Sequence, residues 1–184
     1  APRIVESLVG GLWPHVDLWL IETQSSTVEA LTALSAVIGD GKPAYVSYTL
    51  KDEDGRTGPA ELRSGEPVEE AVRKTLAAGA SGVFFNCSQP EVMGAAVRAA
   101  RRAADETGAS AAIGVYANAF APEPPSDTPY AGISDIRADL DPENYLKWIE
   151  RWLRDGASVV GGCCGIGPEH IDAIRTFRKV REAA

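Results

Sequence analysis

The chain has 184 residues, of which 45% are hydrophobic, and its acidic side chains outnumber the basic ones by 26 to 18. This length is enough for one sizeable core, so we expect a single domain over residues 1–184. The net charge of −8 argues against nucleic acid and membrane partners, because both present phosphate groups that require a basic surface. The sequence has neither an apolar run of roughly 20 residues nor a signal-like start, so we expect a cytoplasmic protein.

Short β-rich runs alternate along the chain with longer segments of helical period. Repeated βα units with right-handed crossovers form a parallel sheet, so the pattern predicts an α/β fold. Capping residues or prolines mark the helix starts at Ser26, Pro67, Pro90, Asp141 and Pro168. The predicted strands lie at 16–23, 44–50, 82–88, 111–118 and 157–164.

Several polar side chains lie at the predicted strand ends, where parallel sheets place their chemistry. Glu22 either binds the amino group of an amino-acid substrate or caps the helix that begins near Ser26. Ser47 and Asn118 either hydrogen-bond a substrate or orient the loops that follow them, and Asn86 supports the neighbouring Cys87.

Two further features flank these strand ends. The connection 119–140 includes a proline-rich segment at 121–127, which favours a wall or lid beside the site. The chain has two histidines, His15 and His170, and both fall outside the strand ends. We expect His170, in the first turn of the last helix, to be solvated.

The three cysteines, Cys87, Cys163 and Cys164, all fall at predicted strand ends. An odd number with two adjacent members is a poor disulfide framework, so metal binding or thiol chemistry fits better. Three thiolates leave one tetrahedral position of zinc open, which distinguishes a catalytic site from a closed structural one. We therefore predict that these cysteines bind zinc. The alternatives are buried apolar thiols, or a redox-active disulfide between Cys163 and Cys164 that leaves Cys87 without a role.

A three-thiolate zinc site favours one type of reaction. A substrate thiol at the open position loses its proton near neutral pH, because the metal lowers its pKa. The three protein thiolates also leave the ion a poor electrophile for hydrolysis, while the substrate sulfur stays electron-rich. The predicted chemistry is alkyl transfer to sulfur.

Four segments together resemble the homocysteine S-methyltransferase family: LIET at 20–23, FNC at 85–87, VYAN at 115–118 and GGCCG at 161–165. The family includes zinc-dependent enzymes that take a methyl group from S-methylmethionine, S-adenosylmethionine or betaine. The resemblance implies a (β/α)8 barrel and zinc-dependent methyl transfer to homocysteine, giving methionine. It also implies two small-molecule partners, a thiol and a methyl donor.

Five βα units are fewer than the eight of the family barrel, so this chain corresponds to its C-terminal part. We expect a further N-terminal segment or self-association to complete the sheet, because open strand edges expose backbone groups. Two alternatives remain open. One is a non-catalytic zinc-binding or subunit-interaction module. The other is a methyltransferase for a different small thiol, since residues 116–120 depart from the family pattern.

Overall fold

A computed structural model describes residues 2–53, 58–121 and 135–182 of the chain. Within these ranges five strands form one sheet, in which the spatial order follows the chain order and every neighbouring pair is parallel. The strands are β1 (Trp19–Gln24), β2 (Ala44–Tyr48), β3 (Gly82–Asn86), β4 (Ala112–Tyr116) and β5 (Val159–Val160). The helices are α1 (Pro2–Leu12), α2 (Thr27–Leu34), α3 (Val68–Ala77), α4 (Pro90–Thr107), α5 (Pro142–Asp155) and α6 (Pro168–Glu182).

This sheet confirms the predicted α/β class and is part of a barrel. Strands that neighbour each other in chain order, each joined by a helical crossover, are typical of (β/α)8 barrels, whereas doubly wound sheets reverse their order. In the described part of the chain β1 and β5 each pair with one strand only, so the barrel is incomplete. None of the helices in these ranges combines the length and apolarity that crossing a membrane requires.

The helix starts agree with the sequence signals, with one addition. The Ser26 hydroxyl accepts a hydrogen bond from the Glu29 amide at the start of α2, and the Asp141 carboxylate accepts one from Asn144 before α5. Helix α1 was not predicted. Its two glycines, Gly10 and Gly11, lower helix propensity and obscure the period of its apolar residues.

The core lies between the sheet and its helices. Alternate strand residues such as Val46, Phe85 and Val115 are fully buried on the helix-covered face. Helix α4 presents alanines to this face, which lets it pack closely on the sheet. Trp152 of α5 is also buried. The helices therefore fix the sheet, and the strand ends are free to carry the site.

The opposite face of the sheet corresponds to the barrel interior. The rings of Tyr45 and Phe84 stack there at 5.1 Å between centroids. Phe84 pairs in register with Gly114, and a Cβ atom at Gly114 would overlap the Phe84 ring. Leu20 and Val159, near the two edges of this face, are 41% and 40% exposed. The face is packed at its centre and open at its edges.

Replacing Gly114 with alanine tests this packing. We expect Gly114→Ala to lower the free energy of unfolding by about 1 to 3 kcal/mol, because the new methyl group must displace the Phe84 ring. Urea denaturation measures the change. Gly10→Ala in α1 is the matched control: a Cβ there meets nothing within 4 Å, so stability is expected to hold or rise. Equal effects of the two substitutions would contradict the packing argument.

Candidate metal centre

Backbone hydrogen bonds continue beyond the ends of the strands and bring the three cysteines together. Cys87 directly follows β3, and its amide donates to the Tyr116 carbonyl at the end of β4 at 3.4 Å. The Cys163 amide donates to the Ala117 carbonyl at 2.9 Å. The Ala119 amide in turn donates to the Cys164 carbonyl at 2.8 Å. Segments that follow three neighbouring strands are thus tied to one another at the same edge of the sheet.

The three sulfur atoms form a compact triangle. The Sγ–Sγ distances are 3.2 Å for Cys87 and Cys163, 3.6 Å for Cys87 and Cys164, and 3.8 Å for Cys163 and Cys164. Sulfurs bound tetrahedrally to one zinc at ~2.3 Å lie roughly 3.8 Å apart, so the triangle accommodates the ion after a small expansion. All three thiols are free, and Cys164 is exposed. The predicted ligands are therefore brought together in a geometry that fits a metal.

The local backbone explains how side chains from separate loops converge. Cys87 has a left-handed backbone, with φ of 52°, and so does Thr23 beyond the middle of β1, with φ of 61°. This conformation is unfavourable for residues other than glycine and is maintained only when the surroundings impose it. In the other loop Gly165 supplies a φ of 79° without that cost. The strained backbone conformation of Cys87 thus occurs at a residue whose sulfur belongs to the triangle.

The proximity of the sulfurs changes their acidity when no metal is bound. A hydrogen bond from the Cys87 thiol lowers the pKa of Cys163 to about 6, with smaller contributions from Cys164 and Asn86. The same hydrogen bond, together with burial, raises the pKa of Cys87. Cys163 is therefore the thiol of this pair that loses its proton more readily. Such a thiolate attracts a cation, which fits the donor set of a zinc site.

Asn86 connects three strand ends beneath the cysteines. It is fully buried, its Nδ2 donates to Thr23 Oγ1 at 2.9 Å, and its Oδ1 accepts from Ser47 Oγ at 2.7 Å. Its amide also stabilises the thiolate of Cys163. These contacts join Asn86 to Thr23 and Ser47, and the support of Cys87 by Asn86 stays a prediction. Ser47 is likewise fully buried, and its hydroxyl proton is engaged by Asn86.

Glu22 does not cap helix α2, because Ser26 and Glu29 perform that function. It is exposed and accepts a hydrogen bond from the Tyr116 hydroxyl at 2.9 Å. Burial raises the pKa of Tyr116, and the adjacent Glu22 carboxylate raises it further, so the phenol remains a donor. Tyr116 was not predicted as a site residue. Its place at the end of β4 is the signal that could have identified it.

Asn118 lies at the end of β4 and is almost fully buried. Its Oδ1 accepts long hydrogen bonds of 3.4 Å from the side chain of Gln89 and from the Phe120 amide. These contacts match the loop-orienting alternative for Asn118. Direct contact of Glu22, Ser47 and Asn118 with a substrate stays a prediction. Most of the connection 119–140 predicted as a wall or lid, including 122–127 of its proline-rich segment, lies outside the described residues.

The expectation that His170 is solvated is wrong. His170 is half-buried, its Nε2 lies 2.8 Å from the Leu140 carbonyl, and its Nδ1 accepts from the Gly167 amide at 3.1 Å. The turn of the cysteine loop into α6 brings the imidazole back beneath that loop, a tertiary contact that helix position alone does not reveal. The other histidine, His15, is exposed.

Comparisons with known proteins identify the family. The family model described as homocysteine S-methyltransferase matches residues 4–177. The chain belongs to the homocysteine S-methyltransferase family. It is 28% identical over 166 residues to betaine–homocysteine S-methyltransferase 1 of Bos taurus, covering 87% of this chain and 39% of that protein. It is 26% identical over 168 residues to an S-methylmethionine–homocysteine S-methyltransferase of Pongo abelii, and the match covers 88% of this chain and 44% of that protein.

A solved structure supports the fold of this homocysteine S-methyltransferase family member. The oxidized form of the homocysteine methyltransferase MmuM from Escherichia coli matches with a TM-score of 0.64 and 20% identity. The match covers 96% of this chain and 52% of that one. The chain therefore spans about half, or less, of the length of the relatives it matches, and the family is one of enzymes.

Removing the Asn86 amide tests the connection beneath the cysteines. We expect Asn86→Ala to lower the free energy of unfolding of the metal-free, reduced protein by about 1 to 3 kcal/mol, because the Ser47 hydroxyl and Thr23 lose a buried partner. Urea denaturation measures this change in the free energy of unfolding. Asn144→Ala, at the more accessible start of α5, is the control and is expected to change stability by about 0.5 to 1 kcal/mol at most. Similar losses in both variants would contradict the role of Asn86.

Proposed function

We propose that this protein transfers a methyl group from a small-molecule donor to the thiol of homocysteine, giving methionine, in a zinc-dependent reaction. The observation that carries the proposal is the triangle of Cys87, Cys163 and Cys164, with Sγ–Sγ distances of 3.2 to 3.8 Å at the carboxyl ends of parallel strands. Membership of the homocysteine S-methyltransferase family supports the reaction class.

Cys87, Cys163 and Cys164 would hold the zinc ion through their sulfur atoms. When bound, zinc supplies a positive charge that lowers the pKa of a thiol at its fourth position. The protein residues around it have separate tasks. Asn86 steadies the cysteine side chains from below. The glycines beside Cys163 and Cys164 leave that side of the triangle free of bulky side chains.

Glu22 is the residue we assign to the ammonium group of homocysteine. Its carboxylate is exposed, lies at the end of β1 on the barrel-interior side, and is oriented by the Tyr116 hydroxyl. A carboxylate held this way pairs with a primary ammonium and thereby directs the thiol of an amino acid. Ser47 and Asn118 complete our predicted substrate-binding set, with Ser47 acting through Asn86 and Asn118 through the loop that follows it.

The donor we propose carries a methyl group on a positively charged sulfur or nitrogen. Two similar proteins are named for betaine and for S-methylmethionine, and both donors have this feature. In the reaction the sulfur of the substrate forms a bond to the methyl carbon, and the bond from that carbon to the onium centre breaks. The donor leaves as a neutral sulfide or amine, and the thiol proton passes to solvent.

The proposal also covers the βα units that the sheet lacks for a complete barrel. Helix α1, which precedes the edge strand β1 in the chain, exposes Ile4, Leu8 and Leu12 in one row, and Ile171 of α6 is 47% exposed near β5. We infer that further βα units, from an N-terminal segment or from associated chains, cover both edges. We propose a cytoplasmic location, because free thiolates require a reducing compartment, and small molecules rather than nucleic acid or membranes as partners.

A second candidate is a non-catalytic module that binds zinc or another subunit. It is favoured by the span of the chain, which covers 39% to 44% of the similar proteins, and by the open edges of the sheet. Stoichiometric zinc without methyl transfer to homocysteine would identify it. Transfer to another thiol in an acceptor panel would instead identify a methyltransferase with a different substrate.

Metal analysis tests the centre directly. We expect about one zinc per chain in protein purified under reducing conditions, and close to none in Cys87→Ser or Cys163→Ser, because a site with two thiolates binds zinc far more weakly. Elemental analysis gives the stoichiometry, and circular dichroism shows that the variants remain folded. The parent is then assayed for methionine formation from homocysteine with betaine or S-methylmethionine. Full zinc occupancy in either serine variant would contradict the ligand assignment.

Charged substitutions test the exposed edges. We expect the parent to self-associate with rising concentration, and Leu8→Glu or Ile171→Glu to weaken this, because each places a charge in an apolar edge. Sedimentation velocity measures the association. The free energy of unfolding should change by less than about 0.5 kcal/mol, since both side chains are exposed. Val28→Glu, on the exposed surface of α2, is the control, and an equal effect there would contradict the importance of the edges.

A further inference from the structure

The loop that carries Cys163 and Cys164 is held at both of its ends by side chains from outside the sheet. The loop runs from Gly161, directly after β5, to Gly167, directly before α6. At its start the Gly161 carbonyl accepts a hydrogen bond of 2.9 Å from the Tyr145 hydroxyl. At its end the Gly167 amide donates to His170 Nδ1 at 3.1 Å. The two cysteines lie between these anchors.

The two anchoring side chains also contact each other. Their rings meet edge to face, with centroids 5.8 Å apart and an angle of 88° between the planes. Tyr145 is fully buried in α5, and burial raises the pKa of its phenol, so the hydroxyl proton is available to the Gly161 carbonyl. The same hydroxyl lies 3.3 Å from the Ala117 carbonyl, which accepts from the Cys163 amide. One aromatic pair therefore touches both ends of the loop.

The contacts of His170 define its tautomer. The Leu140 carbonyl can only accept a hydrogen bond, so the Nε2 atom 2.8 Å away must carry the proton. The Gly167 amide can only donate, so Nδ1 must be unprotonated. The neutral imidazole thus links Leu140, two residues before α5, to Gly167, the residue directly before α6. Both ring nitrogens are used in these structural contacts, and neither is left for a metal or a substrate.

We propose that His170 and Tyr145 are positioning residues for the metal centre, which set the position of Cys163 and Cys164 relative to Cys87. This inference rests on the proposed zinc site. The third ligand, Cys87, lies on a different loop after β3, so the triangle requires that the loop 161–167 keep a fixed place. Groups that orient the ligands of a metal typically change its affinity about 10- to 100-fold when they are removed.

Two substitutions at one position separate the hydrogen bonds of His170. Asparagine places its Oδ1 where His170 has Nδ1, so His170→Asn keeps an acceptor for the Gly167 amide and loses the donor to Leu140. Glutamine places its Nε2 where His170 has that atom, so His170→Gln keeps the donor and loses the acceptor. Both variants lose the ring contact with Tyr145. They therefore differ in the bond that holds the cysteine loop.

Zinc affinity, measured by competition with a chromophoric chelator, tests the proposal. We expect His170→Gln to bind zinc about 10- to 100-fold more weakly than the parent, and His170→Asn to restore affinity to within about threefold. Tyr145→Phe, which removes the hydroxyl from the Gly161 carbonyl, should weaken binding about tenfold. His15→Gln is the control, because the other histidine of the chain is exposed.

A spectroscopic measurement distinguishes positioning from general destabilisation. In cobalt-substituted protein, His170→Gln and Tyr145→Phe should alter the d–d bands of the ion, whereas His170→Asn should retain the parent spectrum. A parent that binds zinc with the same affinity as His170→Gln overturns the role of His170 and leaves the metal centre intact. Equal weakening in His170→Asn and His170→Gln also overturns it. A parent that binds no zinc overturns the metal centre and this assignment with it.

Discussion

The site depends on the pairing of backbone groups beyond the ends of β3, β4 and β5. Regular strands stop at Asn86, Tyr116 and Val160, yet the amides and carbonyls of the following residues continue to bond across the sheet. Cys163 and Cys164 are fixed to the segment after β4 in this way. Cys163 and Cys164 lie 76 and 77 positions after Cys87 in the chain, and this pairing makes the three residues neighbours. Their chemistry follows from this irregular extension of the sheet.

Around that extension the structure places two layers of support. Asn86 lies beneath the cysteines and joins β3 to the ends of β1 and β2 through Thr23 and Ser47. Tyr145 and His170 come from the helices and hold the loop after β5 from the other side. Buried polar groups of this kind are stabilising when their donors and acceptors are satisfied, so these hydrogen bonds favour one arrangement of the site.

The sequence predicted much of this arrangement, and the limits of the prediction have physical causes. The parallel sheet, the helix starts and the cysteine set follow from local patterns and from the rule that parallel strands end at one edge, whereas the barrel type followed from the family resemblance. β5 was predicted over 157–164, but only Val159–Val160 is regular, because the glycines that follow let the chain turn. The contacts of Tyr116, Tyr145 and His170 are tertiary, and no spacing along the chain indicates them.

The distance in sequence between the cysteines has a consequence for the unfolded chain. A metal bound by Cys87 and Cys164 closes a loop of 77 residues, much as a disulfide does. In the chain-entropy picture such a closure removes freedom from the unfolded state that corresponds to about 4.5 kcal/mol of stability. The link also joins β3 to the short edge strand β5, which pairs with β4 over two residues only. The metal centre would thus stabilise the attachment of β5, the shortest strand of the described sheet.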